Sequence, residues 1–113
     1  MKKSKEPPPI SLAPHDWHEL CTVIDQNLRE YEVWAFGSRV AGTAKSFSDL
    51  DLVIRTEQQL SLEKIATLKD AFDESDLTIR VDLVDWSATS TTFKNIILQR
   101  YVVIHRAERP TSA

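Results

Sequence analysis

Apolar residues return at intervals of three, four and seven between Pro14 and Tyr31. Trp17, Leu20, Cys21, Ile24, Leu28 and Tyr31 form one stripe, which predicts an amphipathic helix with Pro14 in its first turn. The pattern then changes period. A continuous apolar run from Val33 to Phe36 stops at Gly37-Ser38, and a second runs from Leu50 to Ile54. This predicts strand, turn, short helix and strand, with Gly42 ending the short helix. Leu62, Ile65, Leu68 and Phe72 share one face of a helix expected over 61–73, with Ser61 as its N-cap. From Thr78 to Trp86, Ile79, Val81 and Leu83 alternate with Arg80, Asp82 and Val84, the mark of a strand. A last helix is expected from Thr91 or Thr92 to Tyr101, turning Phe93, Ile96, Ile97 and Tyr101 inward. Val102 to Ile104 is then an edge strand or a packed extension. Trp17, Trp34, Phe36 and Trp86 read as core.

Polar residues interrupt this pattern most tellingly at the head of the second apolar run. Asp49 and Asp51 lie on one face there, with Leu50, Leu52 and Ile54 on the other. At a rise of about 3.3 Å per residue their positions are roughly 7 Å apart. Two carboxylates on a strand that otherwise reads as buried repel each other and lose hydration unless a cation lies between them. Oxygen-only ligands favour Mg²⁺ or a similar hard cation. Glycine at 37 permits a sharp turn and close approach of a ligand, and the amides that follow it, with the Ser38 hydroxyl, suit a phosphate. If the strand carrying Asp82 neighbours this one, an interstrand spacing of about 4.8 Å brings three carboxylates within reach of two metal ions.

Gly37-Ser38, ten residues, then Asp49-Leu50-Asp51 resembles the Gly-Ser-x10-Asp-x-Asp pattern of the polymerase-beta-like nucleotidyltransferases. Val81-Asp82-Leu83-Val84-Asp85-Trp86 resembles that family's third-carboxylate strand, and the likeness covers roughly residues 15 to 105. The surrounding residues look most like the minimal nucleotidyltransferase (MNT) branch, small proteins paired with a separate helical HEPN protein. The resemblance implies an α/β (α+β) fold, a small mixed sheet flanked by helices. It also implies Asp49, Asp51 and Asp82 as catalytic metal ligands for two Mg²⁺ ions, with Asp82 either a shared ligand or the base. Gly37, Ser38 and Arg39 would hold the phosphates of ATP, although Arg39 also reads as an exposed helix arginine. The activity implied is transfer of AMP to a tyrosine of a HEPN toxin by its antitoxin. A small-molecule acceptor held by a separate subunit and a non-catalytic binding antitoxin are the alternatives.

Composition narrows the remaining choices. The chain has 113 residues, 42% hydrophobic and 27% charged, which suits one globular domain. We expect a disordered arm over 1–9, a nucleotidyltransferase domain over 10–105 and a flexible tail over 106–113. A net charge of -3 and the lack of a basic stripe argue against direct nucleic-acid binding. No signal peptide or membrane-spanning run is legible, and the single cysteine, Cys21, cannot make an internal disulfide, so a cytoplasmic protein is expected. Cys21 reads as a packed thiol, His15 and His18 as surface residues, and Asp73, Glu74 and Asp76 as a loop. Little chain follows the last acidic strand, so the acceptor is expected to come from another chain.

Overall fold

The structure, a computed structural model, describes residues 9–108. Most of the expected arm over 1–9, and the tail from 109 onward, lie outside them. In chain order come α1 (Pro14–Asn27), β1 (Glu32–Phe36), α2 (Ser38–Ala41), β2 (Leu50–Arg55), α3 (Leu62–Asp73), β3 (Val81–Asp85), a 3-10 turn (Trp86–Ala88), α4 (Thr91–Gln99) and β4 (Tyr101–His105). The four strands form one mixed sheet in the order β3-β2-β1-β4. β1 runs antiparallel to both β2 and β4, and β2 runs parallel to β3. A parallel pair needs a crossover connection, which α3 supplies.

Alternation along the strands sorts the core into two layers. Val33, Ala35, Leu50, Leu52, Ile54 and Ile104 face α1 and α3 and pack with Trp17, Leu20, Ile24, Leu28, Leu68 and Phe72. The opposite face carries a smaller cluster of Trp34, Phe36, Val53 and Ile97, flanked by Val84, Trp86 and Val103. Part of that face is filled by cation-π packing, with the Arg55 guanidinium 4.7 Å from the Trp86 ring and 5.2 Å from the Trp34 ring. One helix, α4, covers this second face where two cover the first. The sheet is therefore more open on the α4 side.

Several boundaries differ from the sequence expectation for local reasons. α1 ends at Asn27 because Leu28 leaves helical geometry, and Tyr31 N–H closes a turn on the Leu28 carbonyl. Leu28 and Tyr31 still reach the core through that turn, which is why the apolar spacing outlasts the helix. Ser61 caps α3, accepting from Lys64 N–H at 3.0 Å. Leu62, expected inward, is 86% exposed in the first turn, before the helix reaches the sheet. In α4 only Ile97 is fully covered; Phe93 and Ile96 are exposed, as is Tyr101 at the start of β4. β4 is an edge strand, resolving the alternative left by the sequence. The tail expected from Arg106 is tied at its start, where Glu108 N–H donates to the Arg29 carbonyl and its carboxylate pairs with the Arg29 guanidinium.

Candidate active site

β1 delivers the chain to Gly37 at the end of the sheet where β2 begins, since Phe36 pairs with Asp51. Gly37 has φ +83° and ψ -158°, a region essentially restricted to glycine. A Cβ at this position would overlap the Asp51 carboxylate. Val40 and Ala41 amides donate back to the Gly37 carbonyl, while the Ser38 and Arg39 amides ahead of them have no intrahelical acceptor. Ser38 opens that turn and is half-buried. A cleft of about 450 Å³ opens beside it, lined by Phe36, Gly37, Ala41, Ile96, Gln99 and Arg100.

Asp51 and Asp82 are direct partners across the parallel β2/β3 pair. They share the face that carries Phe36, Val53 and Val84, the side covered only by α4. Asp49 lies one residue ahead of β2, exposed and outside the strand in which it was expected. The Asp51 carboxyl is raised above its usual 3.8, first by burial, then by the Asp82 charge, then by Asp49. Asp82 thus acts on Asp51 more strongly than its sequence neighbour does. The ion pair Arg29–Glu108 lies elsewhere, and none of the described lysines or arginines forms an ion pair with the three carboxylates. Carboxylates on adjacent strands whose charges act on one another, as those of Asp51 and Asp82 do, are the donor type that suits a hard divalent cation, although the three do not group as closely as Asp25, His105 and Glu108.

The raised pKa has a direct consequence for metal-free protein. An acid whose folded pKa lies above its unfolded value contributes stability that is present below the unfolded pKa and is lost as pH rises through the folded one. In EDTA, the unfolding free energy of wild type relative to Asp51→Asn should fall as pH rises from 3.8. Saturating Mg²⁺ should abolish that fall. Urea titrations of both proteins across the range check this, and a pH-independent difference would contradict the coupling.

Arg39 departs from both sequence readings. It is 6% exposed, and its guanidinium donates to the carbonyls of Ser11, Lys45, Ser46 and Ser48. It is neither a surface arginine nor directed at a phosphate site, because its donors are engaged by backbone. Sequence reasoning also misses Asp16. Buried in the first turn of α1, it accepts from Thr78 N–H at 2.8 Å and Thr78 Oγ at 2.6 Å. His15 and Glu19 bond the Asp76 backbone beside it. Together they anchor the loop that leads into β3 and Asp82. An acid at the first turn of a helix carries an N-terminal signal, but nothing local names its partner. Asp85, at the end of β3, caps the 3-10 turn and also accepts from Thr56 Oγ and Leu60 N–H.

A second set of metal-capable side chains, Asp25, His105 and Glu108, has ligand atoms within 4.8 Å of one another. It lies at the other end of the sheet, where His105 pairs with Val33. There the Arg29 guanidinium sits 2.9 Å from Glu108, and the His105 ring is 3.2 Å from the Arg29 carbonyl. This cluster already contains a cation, unlike the three aspartates.

The family described as "Polymerase beta, Nucleotidyltransferase" matches residues 20–109. A Haemophilus influenzae protein named "Probable protein adenylyltransferase MntA" is 52% identical over 88 residues, covering 78% of this chain and 77% of that protein. The "Protein adenylyltransferase MntA" of Thermococcus cleftensis is 36% identical over 73 residues, 65% of this chain and 73% of its own. Among solved structures, a toxin-antitoxin complex with AMP-PNP contains a chain of similar fold, with TM-score 0.61, 21% identity, and coverage of 82% of this chain and 75% of that one. A complex of a tri-AMPylated Shewanella oneidensis HEPN toxin with an MNT antitoxin aligns with TM-score 0.54 at 19% identity, covering 82% and 71%. With Gly37 packed against Asp51, and a family match that spans most of the chain, this protein belongs to the polymerase-beta-like nucleotidyltransferases, in their minimal, MntA-like branch.

Proposed function

We propose that the protein transfers AMP from ATP, with Mg²⁺, to a tyrosine hydroxyl of a HEPN-domain partner and so acts as that partner's antitoxin. The observation that carries this reading is the in-register Asp51–Asp82 pair, with the Asp51 carboxylate directly against Gly37. The names of the Haemophilus and Thermococcus relatives support adenylyl transfer to protein. The choice of ATP and of a HEPN acceptor draws on the solved complexes. We take residues 10–105 as the catalytic unit and the cytoplasm as its location; no helix among the described residues is long and apolar enough to cross a membrane.

In this reading Asp49, Asp51 and Asp82 hold two Mg²⁺ ions. When bound, such ions supply charge neutralisation for the triphosphate and activation of the attacking oxygen. Ser38 and the amides after Gly37 hold the β- and γ-phosphates, fixing the α-phosphorus near the aspartates. The acceptor oxygen forms the new bond to that phosphorus as the bond to pyrophosphate breaks, and the hydroxyl proton leaves to Asp82 or to solvent. Asp82 suits that exchange because it is exposed, whereas Asp51 is partly enclosed beneath the turn. The partner supplies the acceptor surface.

Intact-mass spectrometry tests the reading. A HEPN-domain protein from the same genome is incubated with it, Mg²⁺ and each nucleoside triphosphate in turn. A gain of adenylyl units, with ATP alone and only with Mg²⁺, is expected. No gain with any nucleotide, while a stable complex forms, would overturn transfer to protein and leave a small-molecule acceptor or a binding antitoxin.

A further inference from the structure

Arg39 is a buried cation with no carboxylate partner among the described residues. Leaving a charge in such a place is costly unless the surroundings satisfy it. Here backbone carbonyls do so. Nε and Nη2 both reach the Ser48 carbonyl, at 3.0 and 2.9 Å. Nη2 also approaches the Ser46 and Lys45 carbonyls at 3.1 and 3.3 Å, and Nη1 donates to the Ser11 carbonyl at 2.8 Å. Ser11 N–H returns a bond to the Arg39 carbonyl at 2.7 Å.

The place of these contacts in the chain gives them a function. Ser48 is the residue immediately before Asp49, and two of the arginine's donors grip its carbonyl. The segment has no regular secondary structure between α2 and β2. The Gly42 and Thr43 amides donate back to the Ser38 carbonyl, and further on Ser48 N–H bonds the Lys45 carbonyl and Lys45 N–H bonds Ser48 Oγ. Asp51 takes its position from β2 and Asp82 from β3, but Asp49 belongs to no element. The Leu50 N–H on the Arg80 carbonyl fixes the peptide after Asp49; Arg39 stands two residues after Gly37, so one side chain links the turn to the peptide before Asp49. Only a planar fork with five donors reaches this many acceptors; lysine offers three donors from one atom.

We propose that Arg39 is a positioning residue for Asp49, holding the 45–48 segment so that the Asp49 carboxylate meets the metal beside Asp51 and Asp82. The inference rests on the metal-binding reading of those aspartates, and it assigns Arg39 no contact with nucleotide.

The test uses the full chain with Arg39→Lys and Ser48→Ala, following Mn²⁺ alone by electron paramagnetic resonance and ATP by calorimetry at a series of Mg²⁺ concentrations. Groups that orient metal ligands typically change metal affinity by about 10- to 100-fold when altered. Arg39→Lys should weaken Mn²⁺ binding by about that factor, yet bind ATP within about twofold of wild type once Mg²⁺ saturates. Ser48→Ala removes only the bond from Lys45 N–H and should weaken Mn²⁺ binding by less; it serves alone if Arg39→Lys does not fold. Unchanged Mn²⁺ affinity in a folded Arg39→Lys variant, or in Ser48→Ala if that variant alone folds, would overturn the proposal. So would weakened ATP binding that high Mg²⁺ does not restore, since that is the behaviour of a phosphate ligand. If wild type binds Mn²⁺ but not ATP, the transferase reading fails while the Mn²⁺ comparison still decides the role of Arg39. If wild type binds no Mn²⁺, both fail.

Discussion

Asp51→Asn should abolish nucleotidyl transfer while leaving the protein folded, with the rate falling by about 10³-fold or more. A factor of 10³ corresponds to about 4 kcal/mol of transition-state stabilisation, at 1.36 kcal/mol for each power of ten. Losing a carboxylate that would hold a catalytic metal accounts for a term of that size. The substitution is nearly isosteric, so packing under Gly37 survives. What changes is charge: Asp51 is the carboxylate pressed by both Asp82 and Asp49, and the amide removes the charge that draws cations to the group. Single-turnover transfer to the partner at saturating Mg²⁺ and ATP, with thermal melts of both proteins, separates the cases. A variant retaining a tenth or more of the wild-type rate would remove Asp51 from the reaction. A variant that is inactive because it has unfolded would reveal itself in the melt.

Gly37→Ala should be nearly as damaging for a different reason. The backbone at Gly37 lies where an L side chain is strained by about 1–3 kcal/mol, and the new methyl group would occupy the volume of the Asp51 carboxylate. One of the two must move. A displacement near 1 Å costs about 10²-fold in a reaction that depends on alignment, so transfer should fall by about that factor or more, with a melting temperature lower by several degrees. Gly42 provides the control. It also has positive φ, +85°, but a methyl group added there would meet no atom within 4 Å among the described residues. Gly42→Ala should lower the melting temperature by a similar or smaller amount and leave transfer close to wild type. Equal losses of activity in the two variants would mean that backbone strain alone, and not the contact with Asp51, governs the effect.

Much of this site is legible in the chain because it depends on strand alternation, a short-range property. The apolar runs ending at Phe36 and starting at Leu50 identify β1 and β2, and the alternation around Asp82 puts that residue on the same side as Val84, as the second core layer bears out. The pairing of Asp51 with Asp82 stays conditional at that level, since nothing in a sequence reports which strands are neighbours. The errors share a cause. Asp49 falls in the strand only if the alternation is extended past its last hydrogen-bonded residue. Arg39 reads as a phosphate ligand or a solvent-facing residue because its acceptors are carbonyls, which every residue possesses and no residue type announces. Asp16 bonds Thr78 across most of the chain. Helical spacing assigns Phe93 and Ile96 in α4 to the core, but spacing gives the width of an apolar stripe, and the sheet beneath covers only its centre at Ile97.

The position of β3 at the edge of the sheet bears on how the protein keeps itself intact. A strand paired on one side is the part of a sheet most able to detach, and once exposed it offers its backbone to other chains. Asp82 belongs to that strand and Asp51 to its inner neighbour, so an ion held by both would span the seam. Bound in this way, it favours the closed sheet by mass action, in proportion to its concentration over its dissociation constant. The charge of Asp82, meanwhile, discourages a stray strand from adding to the same edge. The residues proposed to serve the reaction would therefore also act as a fastener and a guard, and chelation would loosen the first while leaving the second in place.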